Sequence, residues 1–208
     1  MRKLRKAAGL FITFEGPDGA GKSTHSRRLA AWLRAQGRRV LLTREPGGTP
    51  LGNRIRSILL HSKPGSMETV TELMLYEASR SLLVQQVLRP ALKAGKVVIL
   101  DRFQDSTWVY QGWAGGLNLQ WVEEVGRAAT GGLTPRLTLL LDLPARRGLT
   151  RVRRPNRMEK KPVAFHEKVR AGFLRLARRQ PKRFRVIPAD RPIAEVQQRI
   201  RREVAHVL

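Results

Sequence analysis

A glycine-rich segment near the start of the chain contains the residues with the clearest chemistry. Residues 16–24 read GPDGAGKST, which fits G-x-x-x-x-G-K-[ST] between an apolar run and a helical pattern. Such glycines let several backbone N–H groups converge on one anion, and the following helix N-terminus adds positive potential. Lys22 is then placed to reach the β- and γ-phosphates, and the Ser23 hydroxyl to bind Mg²⁺. The motif predicts a nucleoside triphosphate site made of Gly16, Pro17, Asp18, Gly19, Ala20, Gly21, Lys22, Ser23 and Thr24.

A second candidate site residue stands where another apolar run ends. Asp101 follows the run VVIL and precedes Arg102, so a carboxylate for Mg²⁺ lies next to a cation for phosphate. Asp142, after LLL, is the alternative metal ligand. A simpler interpretation is that Asp101 only starts a turn. We predict Ser23 and Asp101 as the metal-binding pair.

Short apolar runs alternate with segments of three- and four-residue apolar spacing. This order is typical of an α/β fold with three layers, in which helices flank a mostly parallel sheet of about five strands. Ligands of such sheets lie beyond the carboxyl ends of the strands. The predicted strands are 10–15, 39–43, 97–101, 137–142 and 184–188, and the predicted helices are 22–36, 51–60, 67–94, 118–130, 165–179 and 192–207.

Length and composition narrow the classes of protein further. The 208 residues are expected to form one domain, 1–208, because no linker divides them. The chain has no cysteine, which excludes disulfides, thiolate metal sites and cysteine catalysis. No apolar run is long enough to span a bilayer, and Glu15 ends the only run that follows the basic residues 2–6. We therefore expect neither a membrane span nor a signal peptide.

Positive charge is concentrated towards the end of the chain. The formal net charge is +25, and residues 144–208 contain 20 basic and 5 acidic side chains. Polyanions are the corresponding partners: nucleic acid, an acidic membrane surface or nucleotide phosphates. Solvated helix faces explain most of these arginines equally well. Because no aromatic residues are interleaved with them, we expect nucleic acid to bind only nonspecifically to this basic surface.

Three motifs resemble the signature blocks of the thymidylate kinase family and occur along the chain in the same order as those blocks do. They are FEGPDGAGKST (14–24), TREPGGT (43–49) and DRFQDSTWVYQG (101–112). The resemblance implies a cytoplasmic homodimer that transfers the γ-phosphoryl group of Mg²⁺-bound ATP to dTMP, giving dTDP. A kinase of the same fold with another acceptor, or a nucleic-acid-binding protein that retains a nucleotide site, remains an alternative.

The same resemblance implies roles for the residues around the acceptor phosphate. Asp18 corresponds to the carboxylate that binds the deoxyribose 3′-hydroxyl, and Arg44 to the clamp on the dTMP phosphate. Arg102 corresponds to the arginine between the acceptor and transferred phosphates. Glu45 is expected to orient Arg44 or a water molecule.

The resemblance also implies a pocket for the base. Tyr76 would stack on thymine, and Arg80, one helical turn later, would bind a base carbonyl. Ser106 and Gln111 would supply further polar contacts, while Tyr110 would pack against the C2′ edge of the sugar. Tyr76 as an ordinary core aromatic is the alternative.

The chain departs from the family pattern in two places. Ser79 and Leu83 replace side chains that usually lie near the pocket arginine, so its supporting contacts are not predicted. The basic segment 151–162 is either a surface loop or a lid; it is about three residues shorter than the family lid and has Asn156 in place of an aspartate.

Gly19 occupies the position where some members carry a catalytic arginine, so the resemblance assigns that role to the lid. Arg157, with Arg151 or Arg153, would supply the charge beside Lys22, Arg102 and Asp18. Replacing Arg157 with alanine is expected to lower turnover and to leave dTMP binding nearly intact. No general base is required, because the acceptor phosphate already carries an anionic oxygen.

Overall fold

The computed structural model describes residues 9–63 and 65–208; the basic residues 2–6 lie outside the described residues. Five strands form one sheet in which every neighbouring pair is parallel, in the order β2-β3-β1-β4-β5. The predicted sheet is confirmed, with β2 shifted by one residue. The strands are β1 (Leu10–Glu15), β2 (Val40–Arg44), β3 (Val97–Asp101), β4 (Leu137–Asp142) and β5 (Phe184–Pro188).

The predicted helices are also present, with one of them divided. The segment predicted as a single helix over 67–94 consists of α3, a π-helical stretch and α4, and Pro90, which has no N–H to donate, lies at the start of α4. Two helices, α5 and α7, were not predicted because they are too short to show a periodic pattern. The helices are α1 (Lys22–Ala35), α2 (Pro50–His61), α3 (Thr69–Leu83), α4 (Arg89–Lys93), α5 (Gln104–Thr107), α6 (Leu119–Thr130), α7 (Ala145–Thr150), α8 (Val163–Arg179) and α9 (Ile193–Ala205), with π-helical turns at Val84–Leu88 and Trp108–Trp113.

Alternation along the buried strands divides the core between two faces of the sheet. Ile12 and Phe14 of β1 belong to a cluster with Leu29 of α1 and Ile200 of α9. Phe11, which points the other way, packs with residues from α3 to α4. Leu140 of β4 packs in a third cluster, with α8 and the second π-helical turn. Helices therefore cover both faces, as the three-layer prediction requires.

The strand order determines where a ligand can bind. Because all strands are parallel, their carboxyl ends meet at one edge of the sheet, and the loop after β1 lies between those after β3 and β4. The segments that follow β2 and β5 lie at opposite ends of this edge. Among the described residues, no helix is both long and apolar enough to cross a membrane.

Candidate active site

The loop after β1 packs tightly against α7. Gly19 has a φ of 73°, and a methyl group on it would overlap the carbonyl oxygen of Gly148. A methyl group on Gly148 would in turn overlap the carbonyl oxygen of Asp18. Both positions therefore require glycine, and the contact fixes the loop against a helix that the sequence did not predict.

Lys22 lies over the backbone of this loop. Its Nζ donates to the carbonyl oxygens of Gly16 at 3.0 Å and Pro17 at 2.6 Å. Burial first, and then the neighbouring Arg102, lower the pKa of Lys22 to about 8. A bound phosphate would oppose both effects, because an adjacent anion stabilises the charged ammonium.

The predicted metal-binding pair is brought together. Phe14 and Asp101 are register partners in β1 and β3, which places Asp101 beside the start of the loop. The Ser23 hydroxyl donates to Asp101 Oδ2 at 2.5 Å. Two oxygen donors of this kind fit Mg²⁺, which often takes few protein ligands and completes its shell with phosphates and water. Asp142, the alternative, is instead held by two hydrogen bonds from Arg170, at 2.7 and 2.8 Å.

Arg102 joins the loop to the segment after β3. It is the one non-glycine residue with positive φ (69°) in the described ranges, a conformation that costs free energy and is frequent at functional sites. Its Nη2 lies 2.5 Å from Asp18 Oδ1 and 3.2 Å from the Tyr110 hydroxyl, and its Nη1 donates to Gly16 and Ser106. Burial would raise the pKa of Asp18, but Arg102 and Lys22 outweigh it and hold that pKa below its usual value.

Glu15 supports Arg102 indirectly, through Ser106. Its carboxylate accepts from the Phe103 N–H at 2.7 Å and from the Ser106 hydroxyl at 2.6 Å. Burial first, and then Asp105, raise the pKa of Glu15 to about 8. Ser106, expected at the base, thus connects Glu15 to Arg102. Sequence reasoning missed this use of Glu15, because a glutamate that ends a strand has no motif of its own.

Arg80 is fully supported despite the departures at its neighbours. All three guanidinium nitrogens donate to protein groups, which are Glu45, Glu77, Gln104 and Thr107. Glu45 was expected to orient Arg44 or a water molecule; in the structure its carboxylate accepts from Arg80. Burial raises the pKa of Glu45 to about 7, while Arg80 acts in the opposite direction.

A cavity of about 690 Å³ extends along the carboxyl edge of the sheet. Most of the predicted site residues line this cavity. One of them is Tyr76, whose pKa is raised to about 12, first by burial and then by the nearby Glu72 carboxylate. Gly16 and Pro17 lie under Lys22 and do not line it. The predicted residues in its wall are Asp18, Gly19, Ala20, Gly21, Lys22, Ser23, Thr24, Arg44, Tyr76, Arg80, Asp101, Arg102, Ser106, Tyr110 and Gln111.

The arginines of the 151–162 segment occupy different environments. Arg151 lines the cavity, whereas Arg153 and Arg157 are absent from its wall. Arg157 is buried and donates to the Leu59 carbonyl oxygen at 2.9 Å and to Glu72 Oε1 at 2.5 Å. Of the three arginines predicted to act from the lid, the structure brings Arg151 to the cavity wall, and the catalytic assignment of all three stays a prediction.

Two parts of the cavity wall were not predicted. Arg56 of α2 lies there and donates to the Pro46 carbonyl oxygen at 2.9 Å; burial and then Arg44 lower its pKa. At the opposite end, Ala189, Arg191 and Ile193 follow β5. Their position just after a strand is the signal that sequence reasoning passed over. The cavity wall therefore reaches from the segment after β2 to the segment after β5, and the phosphate loop after β1 lies between them. We call the two ends of the cavity its arms, towards β2 and towards β5.

A parallel sheet with a G-x-x-x-x-G-K-[ST] loop at its carboxyl edge and a cavity above that loop define a P-loop nucleotide-binding protein. The sequence matches the family model of thymidylate kinase over residues 14–200. The chain belongs to the thymidylate kinase family.

Individual relatives agree with this family model. A thymidylate kinase of Deinococcus radiodurans is 50% identical over 92% of this chain and 94% of its own length, and one of Syntrophotalea carbinolica is 47% identical over 91% and 92%. The crystal structure of thymidylate kinase from Ehrlichia chaffeensis superposes with a TM-score of 0.78, at 32% identity, over 95% of this chain and 99% of that one. None of these findings supports a nucleic-acid-binding protein.

Proposed function

We propose that this protein transfers the γ-phosphoryl group of ATP to dTMP, giving dTDP and ADP. Family membership supports the reaction, and one structural observation carries it: the phosphate loop lies between two arms of a single cavity. Two nucleotides held end to end there would have their phosphates adjacent over the loop. Positioning of this kind, together with electrostatic stabilisation, is what a protein contributes to phosphoryl transfer, because the reaction needs little covalent chemistry from the protein.

The donor occupies the loop and the arm towards β5 in this proposal. Backbone N–H groups of residues 16–24 and the N-terminus of α1 would bind the phosphates of ATP, with Lys22 reaching the β- and γ-oxygens. Ser23 and Asp101 would hold Mg²⁺, which neutralises charge on those oxygens when bound. Ala189, Arg191 and Ile193 would face the rest of the donor nucleotide.

The acceptor occupies the arm towards β2. Arg44, exposed at the end of its strand, would bind the dTMP phosphate with two N–H groups. Arg102 would lie between the two phosphates, where its bonds to Gly16 and Ser106 hold it in place. Asp18, kept ionised by Arg102, would accept from the sugar 3′-hydroxyl.

The thymine base would lie among the buried polar residues of this arm. Tyr76 would stack on the ring and Tyr110 would exclude a ribose hydroxyl, while Arg80 and Gln111 would bind polar edges. Ser106 would act mainly through Arg102, because its hydroxyl already serves Glu15 and Arg102. Arg80, Gln111 and Tyr110 each have protein hydrogen-bond partners, which hold these side chains in place before the ligand arrives.

Residues 151–162 would form a lid over a single domain. Arg151, at the cavity wall, would bring positive charge to the transferred group, with Arg153 and Arg157 also contributing to closure. Closure would exclude water, which otherwise competes with dTMP for the phosphoryl group. Negative charge on the oxygens of the transferred phosphoryl group develops in the transition state, so the lid cation is expected to affect turnover more than substrate affinity.

The assembly and compartment are proposed from fewer observations. Four large apolar side chains are exposed on α2 and α3, namely Leu51, Ile58, Val70 and Met74. Burying them against the same surface of a second copy would form a homodimer. The cytoplasm is the compartment that we propose, since the reaction consumes ATP.

A coupled assay of ADP release tests the function directly. With Mg²⁺ and ATP, dTMP is expected to be the preferred acceptor over dUMP, UMP and dCMP. The Lys22→Met variant is the matched control, and it should retain the fold but lose transfer. Preference for another acceptor would replace dTMP in the proposal, and normal transfer by Lys22→Met would remove the phosphate loop from it.

A further inference from the structure

Glu72 of α3 is a buried carboxylate between the cavity wall and the lid segment. Its Oε2 accepts from Gln111 Nε2 at 3.0 Å. Its Oε1 accepts from Arg157 Nη1 at 2.5 Å and lies 3.7 Å from Lys161 Nζ. Only 2% of the Glu72 side chain is exposed, so solvent does not replace these partners. One carboxylate therefore contacts both a residue of the predicted base pocket and two lid cations.

This contact fixes the direction of the Gln111 amide. A carboxylate only accepts hydrogen bonds, whereas an amide donates through nitrogen and accepts through oxygen. Glu72 therefore selects the orientation in which Nε2 faces it. Gln111 lines the cavity, and within residues 9–63 and 65–208 its Oε1 takes no hydrogen bond from the protein. A ligand that meets this amide must supply a donor.

We propose that Glu72 determines the acceptor base by holding Gln111 as a hydrogen-bond acceptor. Thymine and uracil carry a hydrogen on N3, whereas N3 of cytosine has a lone pair and would repel Oε1. Glu72 is thus a positioning residue that acts through Gln111, and Arg157 and Lys161 hold its charge in place. The inference rests on the proposed function, because it assumes that a pyrimidine nucleotide occupies this arm.

Glu72→Gln is the variant that tests the amide direction. A glutamine at this position has the same shape and can donate to Gln111 Oε1, which allows the amide at position 111 to present Nε2 to the ligand. The ratio of kcat/KM for dTMP to that for dCMP should then fall about tenfold or more. The reason is that position 111 would present a donor instead of an acceptor to N3 of the base, which suits cytosine and not thymine. Lys161→Gln is the matched control, because it removes the more distant lid cation, 3.7 Å from Glu72 Oε1, and leaves the carboxylate paired with Arg157; its ratio should stay within about twofold of wild type.

A swap of the two side chains distinguishes polarity from structural damage. Combining Glu72→Gln with Gln111→Glu preserves charge and volume, and the carboxylate at position 111 again offers an oxygen to N3–H. The swap should restore the dTMP preference that Glu72→Gln loses. If Glu72→Gln alone does not fold, the dTMP to dCMP ratio of the double variant tests the proposal instead.

Equal losses on dTMP and dCMP in Glu72→Gln, or a swap that is folded but unselective, would overturn the role of Glu72. A wild-type enzyme that phosphorylates neither nucleotide would instead refute the proposed function, so the two failures are distinguishable.

Discussion

Arg102 and Asp18 form an ion pair with 2.5 Å between Nη2 and Oδ1, although 84 residues separate them in sequence. They meet because β1 and β3 are neighbouring parallel strands and each residue lies just beyond a strand end. Their side chains keep 17% and 14% exposure, so they are accessible from the cavity. The residue predicted to bind the sugar and the residue predicted to bridge the phosphates are thus positioned as one unit.

Arg102→Lys should lower kcat by about 10² or more, the usual effect of removing one fixed transition-state donor. A lysine ammonium cannot reach Gly16, Asp18, Ser106 and Tyr110 together, as the planar guanidinium does. Steady-state ADP release with dTMP measures the effect, and circular dichroism checks the fold. Turnover within a few-fold of wild type would contradict a role for Arg102 in the transfer.

Lys22 should take up a proton when ATP binds. In the structure its pKa is lowered to about 8, and bound phosphates stabilise the ammonium and raise that pKa. At pH 8 the free protein therefore carries about half a proton on Lys22, and the complex should take up about half a proton more. Because the complex holds more protons, ATP affinity should fall as the pH rises through about 8.

Calorimetry of ATP binding at pH 8 in two buffers of different ionisation enthalpy measures this uptake. Lys22→Arg is the control, since a guanidinium stays charged in both states and should show none of it. Identical uptake by the two proteins would assign the proton to another group.

The lid arginines should separate into two kinds of effect. Arg157 is buried against Glu72, so Arg157→Ala should lower the free energy of unfolding by about 3–5 kcal/mol, as expected when one partner of a buried ion pair is removed. Arg151 is exposed at the cavity wall, so Arg151→Ala should lower kcat by about 10² or more and leave stability nearly unchanged.

Urea titrations and steady-state kinetics of the two variants make this comparison. A stable Arg157→Ala that loses only turnover would return the catalytic role to Arg157, as the family resemblance implies.

The sequence predicted well the apolar strands and the helices that are long enough to show a periodic apolar pattern. The three central strands, β1, β3 and β4, are buried on both faces, which explains why their apolar runs are nearly continuous; the edge strands β2 and β5 are only partly buried. The short helices α5 and α7 have no such pattern, and contacts distant in sequence determine them. Gly148 of α7 is an example, because glycine is needed there only on account of its close contact with Asp18 in the phosphate loop.

The candidate site was predictable where a motif gives several residues at fixed spacing. The phosphate loop and the pair formed by Ser23 and Asp101 follow from their motifs and the strand ends. Most partners of Glu72 and Arg80 did not follow, because they are side chains from other segments. Glu77, one turn before Arg80 on α3, is the exception. Such pairings arise from packing, which one sequence does not display.

Gly148→Ala should impair both stability and turnover. Alanine normally stabilises a helix relative to glycine, so an increase in stability would be expected if only the backbone of α7 mattered. Here the added methyl group would overlap the Asp18 carbonyl oxygen, and relief of that overlap must displace the phosphate loop or α7. Overpacking of this kind costs about 1–3 kcal/mol, and kcat should fall because Asp18 and Lys22 move with the loop. Thermal unfolding and ADP release measure the two effects, and a variant as stable and active as wild type would show that the loop tolerates a wider gap from α7.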